Sequence, residues 1–133
     1  MKGLFLTTST SDCINHVMAW ESAFGPAEQV TFNHEGITTD HVYIDSVRSA
    51  KPDVIFYIGA VSGKGNPRPD TYQELRRIAP TINLCSDATD RPWHPVLAAY
   101  VRMKCFDLQV GIDGPSDAPV DLSTLTPVDP RPF

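Results

Sequence analysis

The chain has 133 residues, 41% of them apolar and 20% charged, which is enough to bury a core as one domain without disulfides or metals and excludes a disordered or fibrous protein. Sixteen acidic residues against eleven basic ones give a net charge of -5, and the basic residues are scattered, which argues against a protein that grips a nucleic-acid backbone. Cys13, Cys85 and Cys105 are odd in number and far apart, so no disulfide framework is expected. Cys13 and His16 have a ligand-like spacing, but no second pair completes a metal site. No apolar run reaches the ~18 residues of a membrane span, and Leu4-Phe5-Leu6 is too short for a signal segment. A reducing cytoplasm is the expected location.

In chain order, Gly3 to Thr7 predicts a first strand. The hydroxyl-rich loop Thr7-Thr8-Ser9-Thr10-Ser11-Asp12 leads from it into an amphipathic helix over 13–24, stopped by Gly25-Pro26. Gln29 to Phe32 is a second, short strand, followed by the loop Asn33 to Gly36. Asp40 is placed to cap a helix over 41–50, which Lys51-Pro52-Asp53 breaks. The unalternated run Val54 to Ile58 suits a central strand buried on both faces. The loop Gly59 to Pro69 carries three Gly and two Pro, and a helix over 70–78 follows with Asp70 as its cap. A fourth strand over 82–85 gives way to the polar segment Ser86 to Asp90. A helix from Trp93 to Met103 and a fifth strand from Phe106 to Ile112 follow, closed by Asp113-Gly114-Pro115.

Strands alternating with helices predict right-handed crossovers and a three-layer α/β/α, Rossmann-like domain with a five-stranded, mostly parallel sheet in the flavodoxin-like order 2-1-3-4-5. This domain is expected over 1–114. Residues 115–133, rich in Pro, read as an extended tail or interdomain linker.

Ligands of such sheets bind outside the carboxyl ends of the strands, so the loops after strands one to four should share one rim. Thr8, Ser9, Thr10 and Asp12 stand at a helix N-terminus, where free N–H groups favour an anion; capping by Ser11 or Asp12 is the plainer role. Asp87, Asp90 and His94 offer two carboxylates and an imidazole that could act as base, acid or hydroxyl-binding groups, with Ser86 beside them and Trp93 able to stack on a sugar or a base. Their structural alternative is Asp90 capping a helix with Pro92 in its first turn and Trp93 turned into the core. Gly63-Lys64-Gly65 fits neither the GxxxxGK[ST] nor the GxGxxG pattern. Thr8-Ser9-Thr10 begins a flavodoxin-type phosphate loop, but Ser11 replaces its Gly and Cys13 its last Thr. Ile58 stands where a response-regulator receiver needs its phosphoacceptor Asp.

KPDVIFYIG, the strand end at Asp87 before an aromatic-bearing helix, FDLQVGID and TPVDPRPF together resemble the N-terminal half of two-domain, GT-B type glycosyltransferases of the group that includes the CgeB-like enzymes, over roughly residues 51–133. The resemblance implies an acceptor-side domain that takes no cofactor of its own. It implies a sugar-bearing acceptor on the rim, with Asp87, Asp90 or His94 as base, and a nucleotide-sugar donor held by a second domain or partner chain that contacts 115–133. The chain stops where that second domain would begin, so catalysis by this polypeptide alone is not expected. A non-catalytic flavodoxin-like binding or assembly module is the alternative, and an FMN-binding protein the third reading.

Overall fold

The computed structural model of the chain describes residues 1–7, 10–31, 40–58, 66–86 and 88–125, with 10–13 described by their backbone alone. In chain order the elements are β1 (Gly3–Thr7), α1 (Thr10–Ala23), β2 (Ala27–Thr31), α2 (Asp40–Ala50), β3 (Val54–Ile58), α3 (Pro69–Ile78), β4 (Thr81–Cys85), a 3-10 turn (Arg91–Trp93), α4 (His94–Arg102), β5 (Leu108–Gly111) and β6 (Leu122–Ser123). All neighbouring strands pair in parallel, in the order β2-β1-β3-β4-β5-β6. The Rossmann-like α/β class and the flavodoxin-like order are therefore as expected.

The sheet has one strand more than the five expected. The sixth comes from the Pro-rich tail, where Asp121 N donates to Gln109 O and Thr124 N to Gly111 O, both at 2.7 Å. These bonds occupy the backbone edge that β5 would otherwise expose. A proline-rich sequence hides such a strand because only two residues of it, Leu122 and Ser123, pair in register.

The two faces of the sheet are covered unequally. Leu4, Leu6, Ile55 and Tyr57 point to one face and pack with Tyr43 and Val47 of α2 and Tyr72 and Leu75 of α3. Tyr100 of α4 and Phe106 join this layer, and the rings of Tyr57, Tyr72, Tyr100 and Phe106 touch one another. Phe5, Phe56, Ile58, Leu84 and Val110 point to the other face, where α1 contributes Val17 and Trp20. Among the described residues α1 is the only helix on that second face. Apolar residues at every position of β3 follow from its place between β1 and β4, with both of its faces buried.

Helix ends differ from expectation in instructive ways. α1 begins at Thr10, so Ser11 and Asp12 lie within its first turn and not before it. Asp70 does not cap α3. It sits inside the first turn and pairs with Arg68 at 3.1 Å, while the Asp40 carboxylate reaches from α2 to accept from Arg68 N at 2.9 Å and from the Thr71 hydroxyl. α2 and α4 both end on a lysine in the left-handed region, Lys51 (φ 50) and Lys104 (φ 54). Lys51 N donates to Val47 O; Lys104 N donates to Val101 O and Cys105 N to Tyr100 O, the Schellman pattern that glycine usually serves. On α4 only Leu97 is fully buried, whereas Val101 and Met103, expected on its apolar face, are exposed. No helix among the described residues is long and apolar enough to cross a membrane.

Candidate functional site

Parallel pairing puts the last residues of the strands, Thr7, Ile58, Cys85, Gly111 and Ser123, at one edge of the sheet. The chain order reverses between β1 and β3, the switch point at which open α/β sheets form a crevice. The expected rim contributors Thr8, Ser9 and Asp87, and the loop 59–65, lie outside the described residues. Thr10 and Asp12 are placed on the first turn of α1, whose N-terminus faces this edge because α1 follows β1 directly.

The best-defined part of the edge is the stretch between β4 and α4. Ser86 is exposed just past Cys85, and Ala88 is fully buried against Leu97 and Cys85. Burial of Ala88 draws the loop inward and leaves Thr89 and Asp90 on the surface. Asp90 precedes the 3-10 turn, where its carbonyl accepts from Trp93 N at 3.0 Å, but its side chain makes no capping bond. The capping role expected for it is thus not taken, because Arg91-Pro92-Trp93 forms a separate turn before α4 and distances Asp90 from the helix proper. Trp93 is half-buried in that turn and not turned fully into the core.

His94 is the first residue of α4 and half-buried, with Nε2 at 2.9 Å from the carbonyl oxygen of Ala88. A carbonyl only accepts, so this contact assigns the proton to Nε2 and leaves Nδ1 as the accepting nitrogen of the neutral ring. The imidazole therefore fixes the loop and is itself oriented by it.

Asp113, which in the sequence reads as no more than part of a turn signal, emerges as a rim residue. It leaves the end of β5, and its Oδ2 accepts from Thr89 N at 2.9 Å and from Thr89 Oγ1 at 2.5 Å. Its Oδ1 is buried without a hydrogen-bond partner. The backbone around it is tied down by Ile112 N donating to Cys85 O at 3.1 Å and Gly114 N donating to Thr124 O at 3.0 Å. Gly114 takes a φ of 104°, a conformation that glycine adopts without the penalty other residues carry. The signal that could have found Asp113 is a carboxylate directly after a parallel strand, on the carboxyl edge.

The structure thus joins Thr89 to Asp113 and His94 to Ala88. It does not join Asp90 to His94, since no hydrogen bond among the described residues links them. No group of three His, Cys, Asp or Glu side chains among the described residues is arranged to hold a metal ion. No family model matches the sequence, and no curated protein does. What the edge offers chemically is a fixed carboxylate with one oxygen unsatisfied, an oriented imidazole, an exposed carboxylate and two hydroxyls.

Proposed function

We propose that the chain is the acceptor-side domain of a GT-B type glycosyltransferase, which binds a sugar-bearing acceptor across the carboxyl edge of the sheet. The observation that carries this reading is Asp113: a carboxylate held through Oδ2 by Thr89, with Oδ1 buried and unsatisfied. Leaving such an oxygen without a donor costs about 1–3 kcal/mol, and a ligand hydroxyl admitted by a shift of the loop over it would remove that cost. Asp90 and the Nδ1 of His94 are then the described groups able to accept the proton of an acceptor hydroxyl as it attacks the donor sugar, with Asp87 the third candidate base. Ser86 and Trp93 supply a hydroxyl and a ring at the same loop. The donor nucleotide sugar is held by a second domain or partner chain, and the setting is the reducing cytoplasm, a reading supported by the free thiols of Cys85 and Cys105.

Saturation-transfer NMR with methyl glycosides of glucose, galactose and N-acetylglucosamine tests the reading. Transfer to at least one glycoside, lost in Asp113→Asn and in the Asp90→Ala, His94→Ala pair, is the expected result. Absence of transfer to all three, or transfer unaffected by these changes, would overturn it.

A second reading, a non-catalytic binding or assembly module, is favoured by the face that α1 alone covers among the described residues, where Phe56, Ile82 and Leu108 remain half-buried. A mass that rises with concentration would favour it over the enzyme half. The FMN-binding reading predicts a yellow protein on purification.

A further inference from the structure

One peptide group joins two of the polar side chains at the carboxyl edge. The carbonyl oxygen of Ala88 accepts from Nε2 of His94 at 2.9 Å, and the N–H of the same peptide unit, on Thr89, donates to Oδ2 of Asp113 at 2.9 Å. A trans peptide is planar and points its C=O and N–H in opposite directions, so one rigid plate spans the gap between imidazole and carboxylate. Ala88 is fully buried, its carbonyl included, which keeps water from competing for the bond to His94. A carboxylate on the N–H side draws that proton and leaves more negative charge on the carbonyl oxygen. The bond to Nε2–H is strengthened in turn, as in any chain of hydrogen bonds held out of water.

The alignment depends on Gly111, the last residue of β5, which pairs with Cys85 on one side and Ser123 on the other. A Cβ at this position would stand 3.1 Å from the Ala88 methyl, closer than the about 3.5–4.0 Å at which carbons pack. Ala88 has little room to yield, because it packs with Cys85 and Leu97 in a buried cluster. Glycine weakens a strand and often marks a place where another part of the chain must come close. Here that part is the Ala88–Thr89 peptide.

We propose that His94, the Ala88–Thr89 peptide and Asp113 act as one unit, in which the carboxylate, through the peptide, holds the ring proton on Nε2 and keeps Nδ1 the accepting nitrogen, with Gly111 as the positioning residue that admits the peptide. Asp113 thus does for His94 at one remove what an aspartate bonded to an imidazole N–H does directly. No proton passes along the unit. Every contact in it is already formed, and no side chain has to turn. The inference rests on the acceptor reading only in giving Nδ1 a use, that of taking the proton of an acceptor hydroxyl.

Histidine signals in long-range ¹H–¹⁵N spectra of the whole chain, recorded without any glycoside, test this. At a pH where the ring is neutral, the unmodified protein should show His94 as the Nε2–H tautomer. Asp113→Asn keeps an oxygen for Thr89 and removes the charge. It should move the Nε2–H proton upfield and raise the Nδ1–H share severalfold, with the His16 and His41 signals still. Gly111→Ala should do the same by displacing the peptide, and adding Ala88→Gly, which deletes the methyl that the new one strikes, should restore the original signature. An Nδ1–H tautomer in the unmodified protein, a His94 signature indifferent to Asp113→Asn, or a Gly111→Ala effect that Ala88→Gly fails to reverse would each overturn the proposal. Where Gly111→Ala does not fold, the Asp113→Asn signature decides alone. Glycoside transfer is a separate readout, so the acceptor reading and this one fail independently.

Discussion

Asn83 Nδ2 donates to Gln109 Oε1 at 3.0 Å, so that β4 and β5 are joined through side chains as well as through their backbones. Both residues are buried, on the sheet face that α4 covers. Gln109 Nε2 is satisfied in turn by Leu97 O at 3.2 Å and Pro119 O at 2.7 Å, and Gln109 N donates to Asp121 Oδ2 at 2.7 Å. One side chain thereby ties together two strands, a helix and the crossover to β6.

Gln109→Leu should accordingly cost about 2–4 kcal/mol, because it strands a buried amide and two carbonyls at once. Urea unfolding gives the number. Adding Asn83→Leu should recover part of the loss, since both ends of the pair are then apolar, and a double-mutant cycle reads the coupling.

The pH dependence of stability has a contribution from His16, whose pKa is lowered by burial. Its folded pKa lies below the ordinary value, so the unfolded chain takes up a proton that the folded one resists. The contribution is complete above about pH 6.5 and is lost as pH falls through the lowered folded value. His16→Leu should flatten that limb and leave stability at pH 7 unchanged or up to about 1 kcal/mol higher, measured as thermal midpoints from pH 7.5 to 5.

Asp107 acts at more acid pH. Burial alone would raise its pKa, but the Thr81 N–H at 2.8 Å and the Arg76 guanidinium at 2.9 Å outweigh that and hold it below the ordinary value. Its stabilisation is present above about pH 4 and disappears as pH falls through the lowered folded value. Asp107→Asn should remove that dependence in urea titrations between pH 5 and pH 2.5.

Lys51→Gly and Lys104→Gly should each stabilise the fold by about 0.5–1 kcal/mol. Both lysines hold a left-handed backbone that carries a steric penalty for any residue with a Cβ. Chemical denaturation of the single and double variants checks this, and the two sites are expected to add.

Cys105 is fully buried, and burial pushes its thiol up to about 11 despite the opposing charge of Arg76. It should stay unmodified by iodoacetamide at pH 8 in the folded protein and react in denaturant, as intact mass would record.

Much of the architecture was legible in the sequence because it depends on apolar runs and their punctuation. Gly3 to Thr7 and Val54 to Ile58 form strands over the expected residues, and parallel pairing follows from alternation with helices, whereas the strand order, which alternation does not fix, is read from the structure. What escaped notice depends on partners distant in sequence. Asp113 matters through Thr89, 24 residues away, Gln109 through Asn83, 26 away, and β6 through backbone bonds to β5 that no periodicity announces. Asp40 and Asp90 show the reverse case. Each has the composition of a helix cap, yet Asp40 serves the start of a neighbouring helix and Asp90 makes no capping bond at all. Of the expected rim residues, Ser86, Asp90, Trp93 and His94 are described in full, and Thr10 and Asp12 by position.

β6 also has a bearing on how copies of this protein meet one another. A strand of two residues, Leu122 and Ser123, presents too short a row of backbone groups to recruit a strand from a neighbouring molecule. At the opposite border, β2 carries Glu28 in an ion pair with Lys2 at 2.8 Å, so an incoming strand would have to be placed beside charge. Among the described residues the sheet is in this sense guarded at both margins, by brevity on one side and by charge on the other, which disfavours edge-to-edge growth.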